Sequence, residues 1–255
     1  MKLSVVIPAH NEEGCIESTL RDLVIELRGQ SIDFELIVVD DNSTDQTGII
    51  LERLSQEFSE LRPIKNLPPN GFGWAVRQGL KHFAGDAVAV YMADASDTPK
   101  DLVRFFREME TQKVDCVFGT RWDKQSKVVD YPWFKLVLNR IVNHFIQILF
   151  GIKYDDVTNA FKLYSRRSIQ GVEPIISPHF NLTVELPLKA IVRGFSYSVL
   201  PNTWINRKTG ESKLKIKEMG SRYLFVILYC FIEKWLSMGD YHQNRFNPES
   251  SRQVQ

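Results

Sequence analysis

The first half of the chain alternates short apolar runs with longer segments of helical periodicity. The apolar runs predict strands at 3–7, 34–40, 86–91 and 114–119. Helical patterns separate them, over about 12–27, 42–58, 73–84 and 99–108. Apolar strands that alternate with helices are typical of an α/β fold with a mostly parallel, doubly wound sheet, and such sheets bind ligands outside the carboxyl ends of their strands.

The second half of the chain has a different pattern. It predicts a long helix at 133–151 and another apolar helix near 221–238, with short mixed elements between them. Both helices could lie in the plane of a membrane surface, or pack in a core or a dimer. The longest apolar run, 223–232, is far shorter than the about 20 residues that cross a bilayer. We expect one domain over 1–238 and a frayed polar tail over 239–255.

Composition narrows the class of protein. With 44% hydrophobic residues, 25% charged residues and a net charge of +1, the chain is not broadly disordered and gives no electrostatic case for a nucleic-acid partner. Three cysteines stand far apart, which predicts buried, inert thiols rather than a metal site or a disulfide framework. The apolar run before Pro8 is too short for a signal sequence. These features favour a cytoplasmic protein.

Two adjacent carboxylates, Asp40 and Asp41, follow the second predicted strand. Their negative charge could stabilise the positive end of the dipole of the next helix, which Ser43 or Thr44 would cap. Because neighbouring side chains alternate in direction, one carboxylate could instead face the cleft and accept hydrogen bonds from a base or a ribose. The pattern leaves both functions open.

The stretch YMADASDTP, residues 91–99, places Asp94 and Asp97 in a turn after a buried strand. A divalent cation on a nucleotide diphosphate needs only one or two protein carboxylates, because phosphate oxygens and waters complete its coordination. Asp97 could alternatively cap the helix that begins at Pro99. The pattern predicts a metal-binding role for Asp94 first and for Asp97 second.

Basic residues fall where an anion could bind. Arg121 follows the strand predicted at 114–119. The segment NRKTGESK brings Arg207 and Lys213 onto a loop that contains Gly210. Such a segment could also be a solvated run of charge. The glycines of NGFGWAVRQGL are weak evidence for a nucleotide fingerprint, and a tight turn that starts a helix explains them better.

Seven segments together resemble family 2 glycosyltransferases in order and spacing, over about residues 3–215, and are most similar to the dolichol-phosphate (polyprenyl-phosphate) mannose synthase branch. They are VVIPAHNEE, VVDDNSTD, NGFGWAVRQGL, MADASDTP, FGTRW, DVTNAFKLYSRR and NRKTGESK. The resemblance implies a GT-A-type nucleotide-sugar-binding fold with C-terminal amphipathic helices. It implies a donor-binding half at 1–122 and an acceptor-binding half at 123–238.

The resemblance also implies roles for single residues. Those that bind the nucleotide-sugar would be Pro8, His10, Glu12, Val39, Asp41, Ala93, Asp94 and Arg121. Asp94 would be catalytic through bound Mg²⁺ or Mn²⁺, together with Arg207 and Lys213 on a loop that grips phosphate. Lys135 and Arg140 would lie on the helix that approaches the acceptor phosphate.

Three positions depart from the family pattern. His10 stands where a tyrosine is frequent, and Asn159-Ala160 replaces a more usual Ser-Gly. Met92 replaces the first aspartate of the metal motif. We therefore expect a metal site that is weaker or is completed differently, by water or by Asp97.

The resemblance implies an inverting transfer of a hexose, in which the metal, Arg207 and Lys213 neutralise the leaving diphosphate. A polyprenyl phosphate acceptor is already anionic and needs no general base. A saccharide hydroxyl, as in surface polysaccharide assembly, would need one, and Asp155 and Asp156 are the candidates. A third alternative is a weakly active sugar-nucleotide-binding scaffold.

The sequence leaves the donor open between GDP- and UDP-sugars, and the hexose between mannose and glucose. We expect peripheral contact with the cytosolic face of a membrane. A homo-oligomer or a membrane-anchoring partner would be compatible with that contact.

Overall fold

The computed structural model describes residues 1–206 and 216–245. Its strands are β1 (Lys2–Ala9), β2 (Asp33–Asp40), β3 (Leu61–Lys65), β4 (Ala87–Val90), β5 (Cys116–Thr120), β6 (Lys127–Val129), β7 (Lys162–Ser165), β8 (Tyr197–Pro201) and β9 (Thr203–Ile205). Its α-helices are α1 (Ile16–Gly29), α2 (Thr47–Glu57), α3 (Phe72–His82), α4 (Pro99–Gln112), α5 (Trp133–Phe150), α6 (Arg166–Val172), α7 (Leu182–Val192) and α8 (Ile216–Leu236).

Within the described residues, seven strands form one sheet in the order β3-β2-β1-β4-β7-β5-β8. β7 runs antiparallel to β4 and β5, and the other neighbours are parallel. β6 and β9 form a separate parallel pair. The order changes direction between β1 and β4, where doubly wound sheets open a crevice for ligands. The predicted mostly parallel, doubly wound sheet is confirmed.

Each face of the sheet is covered by its own apolar core. Val5 and Ile7 of β1 pack in the core that includes α1, α2 and α4. Val6 packs in the opposite core, with α3 and α7. Because successive side chains of a strand point to opposite faces, a strand covered on both faces must be apolar throughout. This requirement explains the continuous apolar runs that predict the strands.

The start of α2 differs from the expectation. The helix begins at Thr47, beyond Ser43 and Thr44, neither of which caps it. Ser43 Oγ instead accepts a hydrogen bond from Asn11 N (3.0 Å), and Thr44 N donates to Asn11 Oδ1 (2.8 Å). The expected caps were therefore wrong, because these residues join the loop after β1 to the loop after β2.

The start of α4 corrects the capping alternative for Asp97. The helix begins at Pro99 as predicted, but its N-cap is Thr98, whose Oγ1 accepts a hydrogen bond from Asp101 N (3.3 Å). The Asp97 carboxylate lies near the backbone N–H of Met92, which favours its charged form. Asp97 is therefore turned back toward the end of β4.

The glycines before α3 serve a tight turn, as the sequence favoured. Gly71 has φ = +139°, a conformation that side chains with a Cβ rarely adopt. A Cβ on Gly73 would lie 2.5 Å from the carbonyl carbon of Pro178. The turn therefore lets the segment before α7 approach the start of α3.

The C-terminal elements contact each other through their ends. Phe150 of α5 packs edge-on against Phe231 of α8, and Lys234 Nζ donates to Phe150 O (2.6 Å). Gln243 N donates to Arg193 O (2.9 Å), so the expected frayed tail begins later than residue 239. No helix in the described ranges is long and apolar enough to cross a membrane.

Candidate active site

The loops after β1 and β2 meet at the carboxyl edge of the sheet. Asp41 N donates to Ala9 O (2.7 Å), and His10 Nδ1 lies 2.7 Å from Asp41 O. Because a carbonyl oxygen can only accept, Nδ1 carries the proton in this contact. Pro8 and Val39 face each other in the register of the two strands. The structure therefore brings together four of the residues predicted to bind the nucleotide-sugar.

Asp40 and Asp41 have different hydrogen-bond partners. Asp40 Oδ1 accepts a hydrogen bond from Ser43 N (2.9 Å), which stabilises the turn before α2. Asp41 is buried, and its two carboxylate oxygens accept from Asn66 Nδ2 (2.7 Å) and Gly71 N (2.8 Å). Asp41 therefore orients the loop between β3 and α3, and Asn66 is a residue of this edge that sequence reasoning missed.

Glu12 lies beside this cluster, at the start of the segment that leads into α1. Its backbone N–H donates to Thr47 Oγ1 (2.8 Å). Its carboxylate Oε2 accepts from Cys15 Sγ (3.3 Å). Cys15 is thus partly exposed and hydrogen-bonded, whereas Cys116 and Cys230 are buried as predicted.

The loop after β4 carries the two predicted metal-binding carboxylates. Asp94 Oδ1 accepts a hydrogen bond from Ser96 N (3.1 Å), and Ala93 O accepts from Thr19 Oγ1 (3.0 Å). Asp94 and Asp97 are 8% and 5% exposed. Both carboxylates are therefore largely buried, and that of Asp94 is held by a hydrogen bond within its own loop.

Asp97 has one carboxylate oxygen that is not satisfied within the described residues. Its Oδ2 is buried and has no hydrogen-bond partner there. Burial, and next the nearby negative charge of Asp94, raise the pKa of Asp97 to about 8. An unsatisfied buried oxygen beside a second carboxylate fits a bound cation, which would supply the missing charge and ligand contact.

Protein side chains alone do not build a complete metal cage here. Among the described residues, no group of three histidine, cysteine, aspartate or glutamate side chains could hold a metal ion. Mg²⁺ commonly takes one or two protein carboxylates, and substrate phosphate oxygens and waters fill its other positions. Asp94 and Asp97 fit that incomplete arrangement. The backbone N–H of Met92 favours the charged form of the Asp97 carboxylate.

The end of β5 is organised by a buried ion pair. Arg121 donates from Nε to Asp156 Oδ2 (2.8 Å) and from Nη2 to Asp156 Oδ1 (2.7 Å). The Asp156 side chain is 0% exposed and that of Arg121 is 8% exposed. The attraction of Asp156 raises the pKa of Arg121 against the opposing effect of burial. Arg121 is therefore a fixed cation at this edge.

Lys162 stabilises the loop that supplies Asp156. Its side chain is buried, and Nζ donates to Val157 O (3.0 Å), Thr183 O (3.1 Å) and Asn159 O. Burial lowers the pKa of Lys162 to about 7. Sequence reasoning missed this residue, although a lysine at the start of an otherwise apolar strand is an available signal.

A second, looser ion pair lies beside the first. Arg140 Nη1 is 3.4 Å from Asp155 Oδ2, and the Arg140 side chain is 49% exposed. Asp155 Oδ1 also accepts a hydrogen bond from Thr120 Oγ1 (2.8 Å). Lys135 lies in the first turn of α5. The structure therefore brings Arg140 to the end of β5.

The contacts of Asp156 bear on its predicted role as a general base. Asp156 is a poor general base because it is fully buried and bound to Arg121, so the expectation that it could serve as one was wrong. Arg207 and Lys213, predicted to grip phosphate, lie outside the described residues.

Comparison with known proteins identifies the family to which this chain belongs. The family model described as glycosyl transferase family 2 matches residues 4–172. Polyprenol monophosphomannose synthase of Mycolicibacterium smegmatis is 27% identical over 222 residues, which cover 82% of this chain and 80% of that protein. Glycosyltransferase AglD of Haloferax volcanii is 26% identical over 231 residues, which cover 88% of this chain but only 36% of AglD.

Solved structures agree in fold. Glucosyl-3-phosphoglycerate synthase from Mycobacterium tuberculosis, in complex with Mn²⁺, uridine diphosphate and phosphoglyceric acid, superposes with a TM-score of 0.69 at 19% identity, covering 90% of this chain and 78% of that chain. Its complex with Mg²⁺ and uridine diphosphate gives 0.66 at 20% identity, covering 91% and 79%. The GT-A-type α/β fold is thus confirmed, and the protein described here belongs to glycosyl transferase family 2.

Proposed function

We propose that this glycosyltransferase moves a hexose, with inversion, from a GDP- or UDP-sugar to a polyprenyl phosphate at the cytosolic face of a membrane. The half 1–122 binds the donor, and the half 123–238 binds the acceptor. Similarity to polyprenol monophosphomannose synthase over 82% of the chain supports the acceptor class.

The carboxyl edge of β1, β2 and β4 is the proposed donor site. His10 and Asp41 are positioned for the nucleoside, and Asp94 and Asp97 for a divalent cation on the diphosphate. Bound Mg²⁺ or Mn²⁺ would neutralise charge on the leaving diphosphate. Asp94 and Asp97 would hold the ion, and the hydrogen bond from Ser96 N orients the Asp94 carboxylate.

The orientation of α5 carries the proposal for a lipid acceptor. Asn143 faces the protein, where its Nδ2 donates to Asn139 O (2.9 Å) and Thr158 Oγ1 (3.1 Å). Ile146 and Phe150 of this helix are buried in the core, but its outer side is apolar as well. The exposed apolar side chains are Trp133, Phe134, Val137, Leu138, Ile141, Phe145 and Ile148. Helices of globular proteins normally carry polar side chains on their exposed side. An exposed apolar stripe of this size marks an interaction surface.

α8 adds a second exposed apolar stripe beside the first. Its members are Leu224, Phe225, Leu228, Ile232, Trp235 and Leu236. Because Phe231 and Lys234 contact Phe150, the two stripes belong to neighbouring helices. We name these two stripes the apolar face. A prenyl chain or a membrane surface would cover it, and the cations Arg121 and Arg140 lie where α5 approaches the end of β5.

The bonding of the two candidate bases also favours a phosphate acceptor. Asp156 is paired with Arg121, and Asp155 accepts from Thr120 and lies near Arg140. A hydroxyl acceptor needs a base to remove its proton, whereas a phosphate oxygen is already anionic at neutral pH. Catalysis on a phosphate acceptor mainly requires that two anions be aligned against their repulsion.

Release of nucleotide diphosphate tests the proposal. Purified protein is incubated with GDP-mannose or UDP-glucose, with Mg²⁺, Mn²⁺ or EDTA, and with a short polyprenyl phosphate. The matched control acceptor is the corresponding polyprenol, which has the same chain and no phosphate. We expect metal-dependent release only with the phosphate. Release with a saccharide or with the polyprenol would overturn the phosphate acceptor, and binding of donor without any release would favour a scaffold.

A further inference from the structure

Trp122 lies between the two arginines at the end of β5. The guanidinium carbon of Arg121 is 5.3 Å from the centroid of the Trp122 ring, and that of Arg140 is 5.5 Å from it. Both distances are within the about 6 Å over which a cation is attracted to an aromatic face. One indole ring therefore contacts a cation from the β5 end and a cation from α5.

The two cations differ in how firmly they are held. Arg121 has two short bonds to the fully buried Asp156. Arg140 has one long contact, 3.4 Å, to the partly exposed Asp155, and such a contact contributes little to orientation. Among the described residues, the Trp122 ring is therefore an important restraint on Arg140.

Trp122 is itself held in place by its neighbours. Its backbone N–H donates to Thr120 Oγ1 (3.2 Å). Its ring meets Tyr131 edge-on (centroids 5.7 Å apart), and Tyr131 packs in the same way against Trp204 (4.9 Å). Aromatic pairs of this geometry prefer a defined ring orientation. The ring is thus a supported surface rather than a mobile one.

The indole N–H does not explain the tryptophan. Trp122 Nε1 is buried and has no hydrogen-bond partner among the described residues. An unsatisfied buried donor costs free energy, so a phenyl ring would avoid that cost. The feature of Trp122 that the structure uses is its aromatic face, which contacts both guanidinium groups.

We propose that Trp122 is a positioning residue that holds the Arg140 guanidinium at the end of β5, where Arg140 binds the phosphate monoester of the acceptor. This inference rests on the proposed function, because it takes the acceptor to be a phosphate monoester. The monoester could be a polyprenyl phosphate or a small phosphorylated acid. Both present the same dianionic group to a guanidinium.

Acceptor kinetics test the role of the ring. We expect Trp122→Leu to raise KM for the acceptor about 3- to 10-fold, with little change in KM for the nucleotide-sugar. Trp122→Phe should retain most of the acceptor affinity because it keeps an aromatic face. Polyprenyl phosphate and 3-phosphoglycerate are the two acceptors assayed, so the arm that shows the effect identifies the source of the phosphate.

A double-mutant cycle separates positioning from general damage. Arg140→Gln alone should raise KM for the acceptor, and adding Trp122→Leu should raise it no further. Equal effects of Leu and Phe at position 122, or effects of Trp122→Leu and Arg140→Gln that multiply, would overturn the inference. Trp74→Leu is the matched control, because this ring contacts the guanidinium group of Arg77 and is not part of the Trp122 cluster.

A binding measurement that needs no transfer separates this inference from the proposed function. Arginine Nε–H NMR signals are followed while inorganic phosphate is added to the wild type and to Trp122→Leu. We expect the Arg140 signal, assigned with Arg140→Gln, to lose its ring-current shift in Trp122→Leu and to respond to phosphate only at several-fold higher concentration. If no acceptor is used but this response is seen, the proposed function fails and the inference stands. An Arg140 signal unaffected by Trp122→Leu overturns the inference.

Discussion

At the ends of β1, β2 and β4, carboxylates are held by backbone N–H groups and an amide side chain, whereas at the end of β5 they are held by guanidinium groups. Asp41 accepts from Asn66 and Gly71, and Asp94 from Ser96. Among the described side chains, the donor to Asp156 is Arg121. In the first region, the charge of the carboxylates is thus available to a cation. In the second region, arginine side chains neutralise the carboxylates.

This difference indicates what each region can bind. A buried carboxylate oxygen without a partner, Asp97 Oδ2, fits the proposed metal ion on a diphosphate. Arg121 is paired with Asp156 inside the protein, whereas the guanidinium group of Arg140 is half-exposed and accessible to an incoming anion. The apolar face lies on the second region only, on α5 and α8. Four changes test or sharpen this contrast, in decreasing order of expected effect.

The largest effect is expected from breaking the buried pair. Asp156→Asn leaves the Arg121 charge buried without compensation, and we expect a loss of about 3–5 kcal/mol in the free energy of unfolding. Asp155→Asn is the matched control, because Asp155 is partly exposed and should cost about 1 kcal/mol or less. Urea denaturation measures both. Equal losses would contradict the conclusion that the ion pair of Asp156 is buried and that of Asp155 is not.

Asp94→Ala tests the metal-binding region. We expect turnover to fall about 10²- to 10³-fold, because charge on the leaving diphosphate would lose its stabilisation. The melting temperature should change little. Asp33→Ala, an exposed aspartate at the amino end of β2, is the control and should retain wild-type turnover. Retained activity in Asp94→Ala would remove the proposed metal role.

The pH dependence of stability tests Asp97 in metal-free protein. Its pKa is raised from the ordinary aspartate range, about 4, to about 8, so the folded state binds a proton that the unfolded state releases. The resulting stabilisation is complete below about pH 4 and is lost as pH rises to about 8. Asp97→Asn should lack this fall in the free energy of unfolding. Identical profiles for both proteins would show that Asp97 is charged throughout.

The smallest effect is expected at the apolar face. Ile141→Ser with Ile148→Ser should reduce cosedimentation with phosphatidylglycerol vesicles about 3- to 10-fold. Ile25→Ser with Ile49→Ser is the control, since these side chains on α1 and α2 are equally exposed (69% and 65%, against 61% and 70%). If vesicle binding is unchanged but a dimer dissociates in size-exclusion chromatography, a second copy of the chain covers the face.

Local patterns in the sequence determined most of the elements and the donor-side motifs. Apolar runs marked β1, β2, β4 and β5, because a strand covered on both faces must be apolar, and these runs are readable over five to seven residues. The strand-end residues from Pro8 to Asp94 follow from the rule that parallel sheets bind ligands at their carboxyl edge. The resemblance to family 2 glycosyltransferases added the expected roles of these residues.

Only the tertiary structure decided which charges pair and which apolar surfaces stay exposed. Arg121 and Asp156 are 35 positions apart, and no local pattern shows that they meet. The sequence also could not show that Asn143 would turn inward and leave the apolar stripe of α5 outside. Both outcomes depend on how β7 and α5 pack beside β5, which is a property of long-range contacts and not of periodicity.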